Sequence, residues 1–521
     1  MKVKGFIFAI LIHWTICAEQ REFYSSTDHL IKLLEVGKDL VKNLGEYITA
    51  EEAILKSLKR VLVDLSELTA CVDSLDELEE HVSNPLTAYR LVRNLRTKWT
   101  VIEETVEKSP LSEFLKMVKL KSQALPTDRD VNGIALALIR LQDTYQLEPT
   151  SIMGREQSVL TGMVAATSLG PDETFHIAMV AYKNLKYPLY ISWLAETMRL
   201  LNLGVGSLHS LTSFLQTDNL PTELSFIKQL VSHDPTNIQG MVQQMYSSTL
   251  RSVLQALGTR PLNFNIDSLI PRSLYSNPYE ALCRGKGLRM APGRQKKLFC
   301  RYSHGEGSAP WLYAPIKLQE EWDSPPIVRY LEIISDQEID AVKRLSRPKL
   351  ERAMVIDHTT GHKYSTESRV SKSTWLKDEE DPVIRKLSQR ISDITGLDMT
   401  TAESLQVANY GIGGQYEPHF DSKLGNDPDH ALKGGRIATI LIYMSDVKLG
   451  GSTVFPDIGA EILPQKGSAV LWYNILRNGL EDDRTLHAAC PVFLGSKWVA
   501  NKWVRMRGQE FRRRCSLSPT E

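Results

Sequence analysis

The sequence predicts a multidomain α+β protein, with an all-α N-terminal half and a C-terminal β-barrel or jelly roll carrying flanking helices. Three observations lead there. A length of 521 residues accommodates roughly three or four domains. Apolar residues recur at helical intervals through the N-terminal half. Short β-rich runs punctuated by Gly and Pro ("RIATILIYMSD", "GSAVLWYNI", "GSKWVANKWVRMR") replace them near the C-terminus. Lys+Arg and Asp+Glu both number 62, which removes any global electrostatic case for a nucleic-acid partner.

The opening "MKVKGFIFAILIHWTICAEQ" sets Lys2 and Lys4 before an apolar run that ends at Cys17 and Ala18, the pattern of a secretory signal over 1–18. That run falls well short of the ~20 residues that cross a bilayer, and no later stretch is long enough. Removal of the signal leaves Cys71, Cys283, Cys300, Cys490 and Cys515 in a compartment where disulfides persist. Pairing by shortest separation joins Cys283 with Cys300 and Cys490 with Cys515 and leaves Cys71 free, a connectivity that sequence alone leaves open. There is no Asn-x-Ser/Thr sequon, and the C-terminal "SLSPTE" is no retrieval signal, so residence in the endoplasmic reticulum would require a partner.

Residues 19–135 read as a helical dimerisation domain. From Leu30 through Leu34, Val41, Leu44, Ile48, Leu55, Leu58, Leu62 and Leu65 the apolar period is near 3.5, a coiled-coil-like helix suited to a partner helix. A bundle helix within one subunit fits the pattern equally. Further helical pattern runs through "AYRLVRNLRTKWTVIEETV" and "IALALIRLQDTY". Residues 136–255 read as helices separated by short turns, similar to TPR-like helix pairs whose surface could hold an extended peptide or act as a spacer. Residues 256–325, rich in Pro, Gly, Tyr and Arg, form a disulfide-containing connector. The catalytic domain follows over 326–515, with helices in "SDQEIDAVKRLS" and "PVIRKLSQRISDITG" ahead of the strands.

The candidate site starts at "QYEPHFD". A strand repeats every two residues, so His419 and Asp421 project to one side, as adjacent ligands of one metal would. His487 supplies a third ligand from beyond "SAVLWYNI". Two imidazoles and a carboxylate suit a non-haem Fe(II) oxygenase, and zinc hydrolases use the same set. Lys497 separates the two: it shares a strand face with Val499, Asn501 and Trp503, and a lysine turned into a pocket needs an anion such as a dicarboxylate co-substrate. His430, Asp427 and Asp429 are spare ligand candidates, although "NDPD" reads as a turn.

The stretches "LQVANYGIGGQYEPHFD", "RIATILIYMSDVKLGGSTVFP", "HAACPVFLGSKWVANKW" and "RGQEFRR" resemble the α subunit of animal collagen prolyl 4-hydroxylases, Fe(II)/2-oxoglutarate dioxygenases, densely over about 275–515 and more loosely before. The resemblance implies a double-stranded β-helix, Fe2+ kept reduced by L-ascorbate, and 2-oxoglutarate and O2 as co-substrates. It also implies protein disulfide isomerase as β subunit of an α2β2 tetramer in the endoplasmic reticulum lumen. By the same resemblance His419, Asp421 and His487 bind iron, Lys497, Thr439 and Tyr410 hold 2-oxoglutarate, and Tyr416 and Trp503 lie near the substrate proline. The pairs Cys283–Cys300 and Cys490–Cys515 are those the family pattern gives. Tyr416 has the wrong strand parity for the site unless the strand is distorted. The family's peptide-binding tyrosines are matched by Tyr182, Tyr187, Tyr190 and Trp193, whereas "SLHSLTSFLQT" over 207–217 has none. The expected activity is therefore proline 4-hydroxylation of collagen-like chains. Another secreted Pro-containing substrate, or a non-catalytic assembly role, are the alternatives.

Overall fold

A computed structural model describes residues 22–69, 85–122, 124–153, 169–202, 278–286, 290–305, 309–356, 363–422 and 432–518. The expected signal over 1–18, Cys71, the 207–217 stretch and the spare ligand candidates Asp427, Asp429 and His430 lie outside them. Contacts divide the chain into two compact units, His29–Thr127 and the remainder, Met1–Asp28 with Asp128–Glu521. Among the described residues no helix is long and apolar enough to cross a membrane.

The smaller unit is helical, built from Thr27–Thr69, Pro85–Glu107 and Leu111–Ser122. Tyr47 stacks on Phe114 with ring centroids 4.4 Å apart, and Lys121 pairs with Asp39 at 2.9 Å. Much of the expected seam, including Leu34, Val41, Leu44, Leu55 and Leu62, is exposed.

In the larger unit, Pro171–Lys183 and Tyr187–Asn202 form a helical hairpin that packs on the helix Asp128–Tyr145. The first hairpin helix starts where Pro171 follows Gly170 and Glu173 reaches back to the Gly170 N–H. Tyr190 and Trp193, expected to grip a peptide, are 3% and 0% exposed. Both belong to the hairpin core with Phe175 and Leu194, and the Trp193 indole donates to Gln142 Oε1 at 2.7 Å. An aromatic with helical spacing has filled the space between helices, which corrects their assignment as ligand contacts. Tyr182 is half-buried against this core, and Tyr187 opens the second helix.

The C-terminal part is an antiparallel sandwich. The described strands of the large sheet run in the order Cys300–Ser303, Ile316–Asp323, Pro326–Leu331, Ala469–Tyr473, Arg436–Tyr443, Lys497–Arg505, Leu405–Tyr410, Lys372–Leu376 and Glu351–Arg352. A smaller sheet runs Ala460–Ile462, Thr453–Phe455, His487–Ala489, Tyr416–His419. Alternation sorts the central strands: Ile440, Ile442, Ala500 and Val504 face a core roofed by helices, while Leu441, Tyr443 and Val499 face the smaller sheet. Covered on both faces, these strands read as near-continuous apolar runs. The roofing helices start and stop at strong local signals. Asp336–Ser346 has a Ser335/Glu338 capping box, and Pro382–Thr395 is capped by Asp381 and ends at left-handed Gly396.

The disulfide pairing differs from expectation. Cys283 bonds to Cys490 with Cα atoms 5.6 Å apart, and Cys300 and Cys515 are free and exposed. Proximity in the chain is overruled by packing. The helix Pro278–Cys283 buries Tyr279, Leu282 and Cys283 against Val454, Ala488 and Cys490, whereas Cys300 opens an edge strand and Cys515 follows the last strand. Non-reducing peptide mapping should therefore recover a Cys283–Cys490 linked peptide with Cys300 and Cys515 open to alkylation. A Cys283–Cys300 peptide would contradict this packing.

Candidate active site

His419 and His487 are brought together by register, because they face each other directly across neighbouring antiparallel strands. Asp421 lies just past the first strand, and one donor atom from each of the three residues falls within 4.8 Å of the others. The Nδ1 of His419 lies 2.8 Å from the Glu417 carbonyl oxygen, and that of His487 lies 3.0 Å from the Thr485 carbonyl oxygen. A carbonyl only accepts, so Nδ1 carries the proton in both rings and Nε2 offers its lone pair inward. The Nε2 atoms lie 3.9 and 3.6 Å from the Asp421 oxygens.

Electrostatics favour the metal-binding protonation states. Burial, reinforced by His487, holds the His419 imidazole well below the ordinary histidine range, so it is neutral. Burial opposes ionisation of Asp421, yet the charge that His487 or His419 carries when protonated, the Arg436 guanidinium and a hydrogen bond from Thr439 keep its carboxyl below the usual range. The donor set, two imidazole nitrogens and a carboxylate on one side of an open cleft, fits Fe(II).

The Thr439 hydroxyl donates to Asp421 Oδ2 at 2.6 Å and accepts from Asn474 Nδ2 at 2.9 Å. In this structure, then, the residue is engaged by the carboxylate of Asp421. Its place between Trp472 and Trp503, its partners on the flanking strands, puts it on the inner face of the large sheet.

The triad opens into a cleft of about 1280 Å³. Lys497, Val499, Asn501 and Trp503, the face that period-two spacing predicts, all line it. Lys497 is 2% exposed and its ammonium lies 5.2 Å from the Tyr410 ring centroid. Among the described residues no carboxylate pairs with it, and burial alone pushes it down to about 7. Tyr410, its register partner, is pushed up to about 12 by burial. The indole N–H groups of Trp472 and Trp503 are buried beside the cleft without a hydrogen-bond partner among the described residues. An unpaired ammonium and two unused donors suit an anionic ligand rich in oxygen.

Tyr416 reaches the site through a bulge. Between the pairs His487↔His419 and Ala489↔Tyr416, two steps on one strand oppose three on the other. That extra residue reverses parity and stacks the Tyr416 ring on His419 with centroids 3.5 Å apart.

Sequence reasoning missed Arg369, Arg436 and Trp375. Arg436 stacks 3.8 Å from the Trp503 centroid and makes a two-pronged pair with Glu403 at 2.6 and 2.8 Å. Arg369 lies 4.6 Å over Tyr416 and donates to Gln406 Oε1 at 3.0 Å, and Trp375 packs against Trp503 with centroids 5.8 Å apart. Arg436 left one signal, a charged residue opening the apolar run "IATILIY", since a buried arginine implies a built partner.

Comparison with known proteins agrees with this site. Residues 26–155 match the prolyl 4-hydroxylase α-subunit N-terminal region, and 405–505 match the 2OG-Fe(II) oxygenase superfamily. Prolyl 4-hydroxylase subunit alpha-2 of Gallus gallus is 41% identical over 523 residues, covering 96% of both chains. Subunit alpha-1 of Homo sapiens is 40% identical over 524 residues, also at 96% of both. A solved viral collagen prolyl hydroxylase from Paramecium Bursaria Chlorella virus-1, in its 2OG complex, is 28% identical and covers 34% of this chain and 95% of that one, with a TM-score of 0.28. The site and the C-terminal sandwich define a 2-oxoglutarate- and Fe(II)-dependent oxygenase. The chain belongs to the family of prolyl 4-hydroxylase α subunits.

If Thr439 orients Asp421, Thr439→Val should weaken Mn(II) or Fe(II) binding by about ten- to a hundredfold while the protein stays folded. Metal titration followed calorimetrically checks this, and unchanged affinity would contradict it.

Proposed function

We propose that the protein hydroxylates proline at C4 in collagen-like or other secreted Pro-containing chains, with oxidative decarboxylation of 2-oxoglutarate. The observation that carries this reading is the combination in one cleft of the His419–Asp421–His487 triad with a buried, unpaired Lys497. When bound, Fe2+ with 2-oxoglutarate and O2 supplies the oxidising chemistry, yielding succinate and CO2 and inserting oxygen into an unactivated C–H bond.

The chain's own residues orient and desolvate. His419 and His487 would hold the iron through Nε2 and Asp421 through a carboxylate oxygen, leaving up to three positions open. Lys497, with Tyr410 beside it, would take the distal carboxylate of 2-oxoglutarate as a charge-assisted contact. Tyr416, stacked on His419, and Trp503, backed by Arg436, would flank the proline ring. L-ascorbate would keep the iron reduced. The exposed stripe on Thr27–Thr69 supports pairing between α subunits. Protein disulfide isomerase as β subunit would hold the α2β2 assembly in the endoplasmic reticulum lumen, the address that the leader-like N-terminus favours. The hairpin Pro171–Asn202 would be part of a TPR-like peptide-binding region.

One observation favours a second reading of the acceptor. With Tyr190 and Trp193 in the hairpin core, two of the four expected aromatic contacts are unavailable to a polyproline chain, which suits a different secreted protein as substrate. The complete donor set and the unpaired lysine argue for catalysis over a purely structural role.

Lys497→Ala should raise the KM for 2-oxoglutarate roughly ten- to a hundredfold and leave the peptide KM near wild type, because it removes a charged hydrogen bond to one ligand only. An unchanged co-substrate KM would overturn the assignment.

A pH dependence follows from the burial of Lys497. The free ammonium titrates at about 7, and a bound carboxylate favours its charged form, so binding above that pH takes up a proton. Affinity for 2-oxoglutarate should fall as pH rises from about 7 to 8.5, by up to ~tenfold per unit. Calorimetry in buffers of differing ionisation enthalpy reads the uptake directly, and binding without proton uptake would contradict the account.

A further inference from the structure

The segment Glu22–Asp28 is clasped on several sides by other parts of the larger unit, the helix Asp128–Tyr145 and the catalytic sandwich. Tyr24 is 4% exposed, and a Cβ on Gly133 would lie 2.1 Å from its ring. Gly411 approaches as closely, since a Cβ there would meet the Tyr24 carbonyl oxygen at 2.1 Å, while its N–H donates to the Ser25 carbonyl at 3.1 Å. Asp130 accepts from the Phe23 N–H at 2.8 Å, and Glu22 pairs with Arg352 at 2.7 Å.

All of this leads to Asn409, whose side chain is fully buried. Its Oδ1 accepts from Ser26 Oγ at 2.6 Å, Thr27 Oγ1 at 3.2 Å and the Asp28 N–H at 3.3 Å. The last of these engages an N–H in the first turn of Thr27–Thr69, a role a local cap ordinarily fills. The other end of the same amide donates to the Lys497 carbonyl oxygen and to Ser496 Oγ, both at 3.3 Å. Ser496 Oγ in turn lies 2.5 Å from Thr27 Oγ1. An asparagine held at its oxygen by three donors cannot turn its amide, so its N–H groups stay aimed at the Lys497 carbonyl oxygen and the Ser496 hydroxyl.

We propose that Glu22–Asp28 is a positioning strap that acts through Asn409 to hold the main chain of Lys497, and so sets the reach of the ammonium toward the distal carboxylate of 2-oxoglutarate. The proposal rests on the role of Lys497 given above. Ser26, Thr27 and Asn409 touch neither the triad nor the expected proline position, so the strap tunes co-substrate affinity separately from iron and peptide. A side chain that must place a charge within hydrogen-bond reach is sensitive to small backbone shifts, which is why a contact remote from the ligand still registers in its affinity.

The test uses the full-length α subunit assembled with its partner subunit. Ser26→Ala with Thr27→Val removes two donors to Asn409 and leaves the Tyr24 anchor intact. The expected result is a KM for 2-oxoglutarate raised ~fivefold or more, with kcat at saturating co-substrate, peptide KM and Mn(II) affinity unchanged. Ser26→Thr with Thr27→Ser, which keeps both hydroxyls, should restore most of the affinity. Asn409→Asp keeps the acceptor and removes the donors to residues 496 and 497, and should raise the same KM even if the strap double variant fails to assemble. Lys497→Ala is measured in parallel. If it raises the co-substrate KM while the strap variants and Asn409→Asp do not, the strap proposal alone is overturned. If Lys497→Ala leaves that KM unchanged, the role of Lys497 falls and the strap proposal with it. Equal losses in kcat and both KM values would reveal a merely structural role and overturn the proposal.

Discussion

The constraint on which the structure depends is the cost of burying charge. Asp421 and Lys497 are 5% and 2% exposed, both border one cleft, and no ion pair joins them among the described residues. An isolated buried ion is disfavoured by several kcal/mol or more. Lys497, with no carboxylate beside it, is therefore prepared for an anion, while Asp421, whose charged neighbour Arg436 stays 3.9 Å away, is prepared with His419 and His487 for a further cation. Neutral imidazoles add donor atoms to the first site without adding charge. Two complementary sites in one cleft are what an enzyme needs to hold a metal and a dicarboxylate side by side.

The antiparallel sandwich makes this affordable because register and alternation set distances without flexible loops. His419 faces His487 across one pair of strands, Lys497 faces Tyr410 across another, and Thr439 lies between Trp472 and Trp503 on a third. The outward residues of the same strands fill a separate core beneath the helices. The bulge at Tyr416–His419 breaks the alternation once, and it does so where an aromatic ring and an imidazole both have to face the cleft.

Local chemistry was legible in the sequence because it obeys short periods. Lys497 on the face of Val499, Asn501 and Trp503 follows directly from strand geometry, and the same two-residue spacing singled out His419 and Asp421 although Asp421 lies just past the strand. What was hidden depends on tertiary packing. The Cys283–Cys490 bond spans 207 residues and forms because one short helix docks on the smaller sheet. Tyr190 and Trp193 carry the same helical spacing whether they fill a core or line a groove. The Tyr416 bulge needs the opposing strand before it can be counted, and the contact of Ser26 with Asn409 joins residues 383 apart that no pattern connects.

The most direct test of the central claim is product analysis of the assembled enzyme with Fe2+, 2-oxoglutarate, O2 and ascorbate, using Pro-Pro-Gly repeats and secreted Pro-containing polypeptides as acceptors. Mass spectrometry and amino-acid analysis should find 4-hydroxyproline, with one succinate formed per hydroxyl group and both lost together in His487→Ala. Formation of 4-hydroxyproline by the His487→Ala enzyme, or succinate release with no hydroxylated proline in any acceptor, would contradict the account.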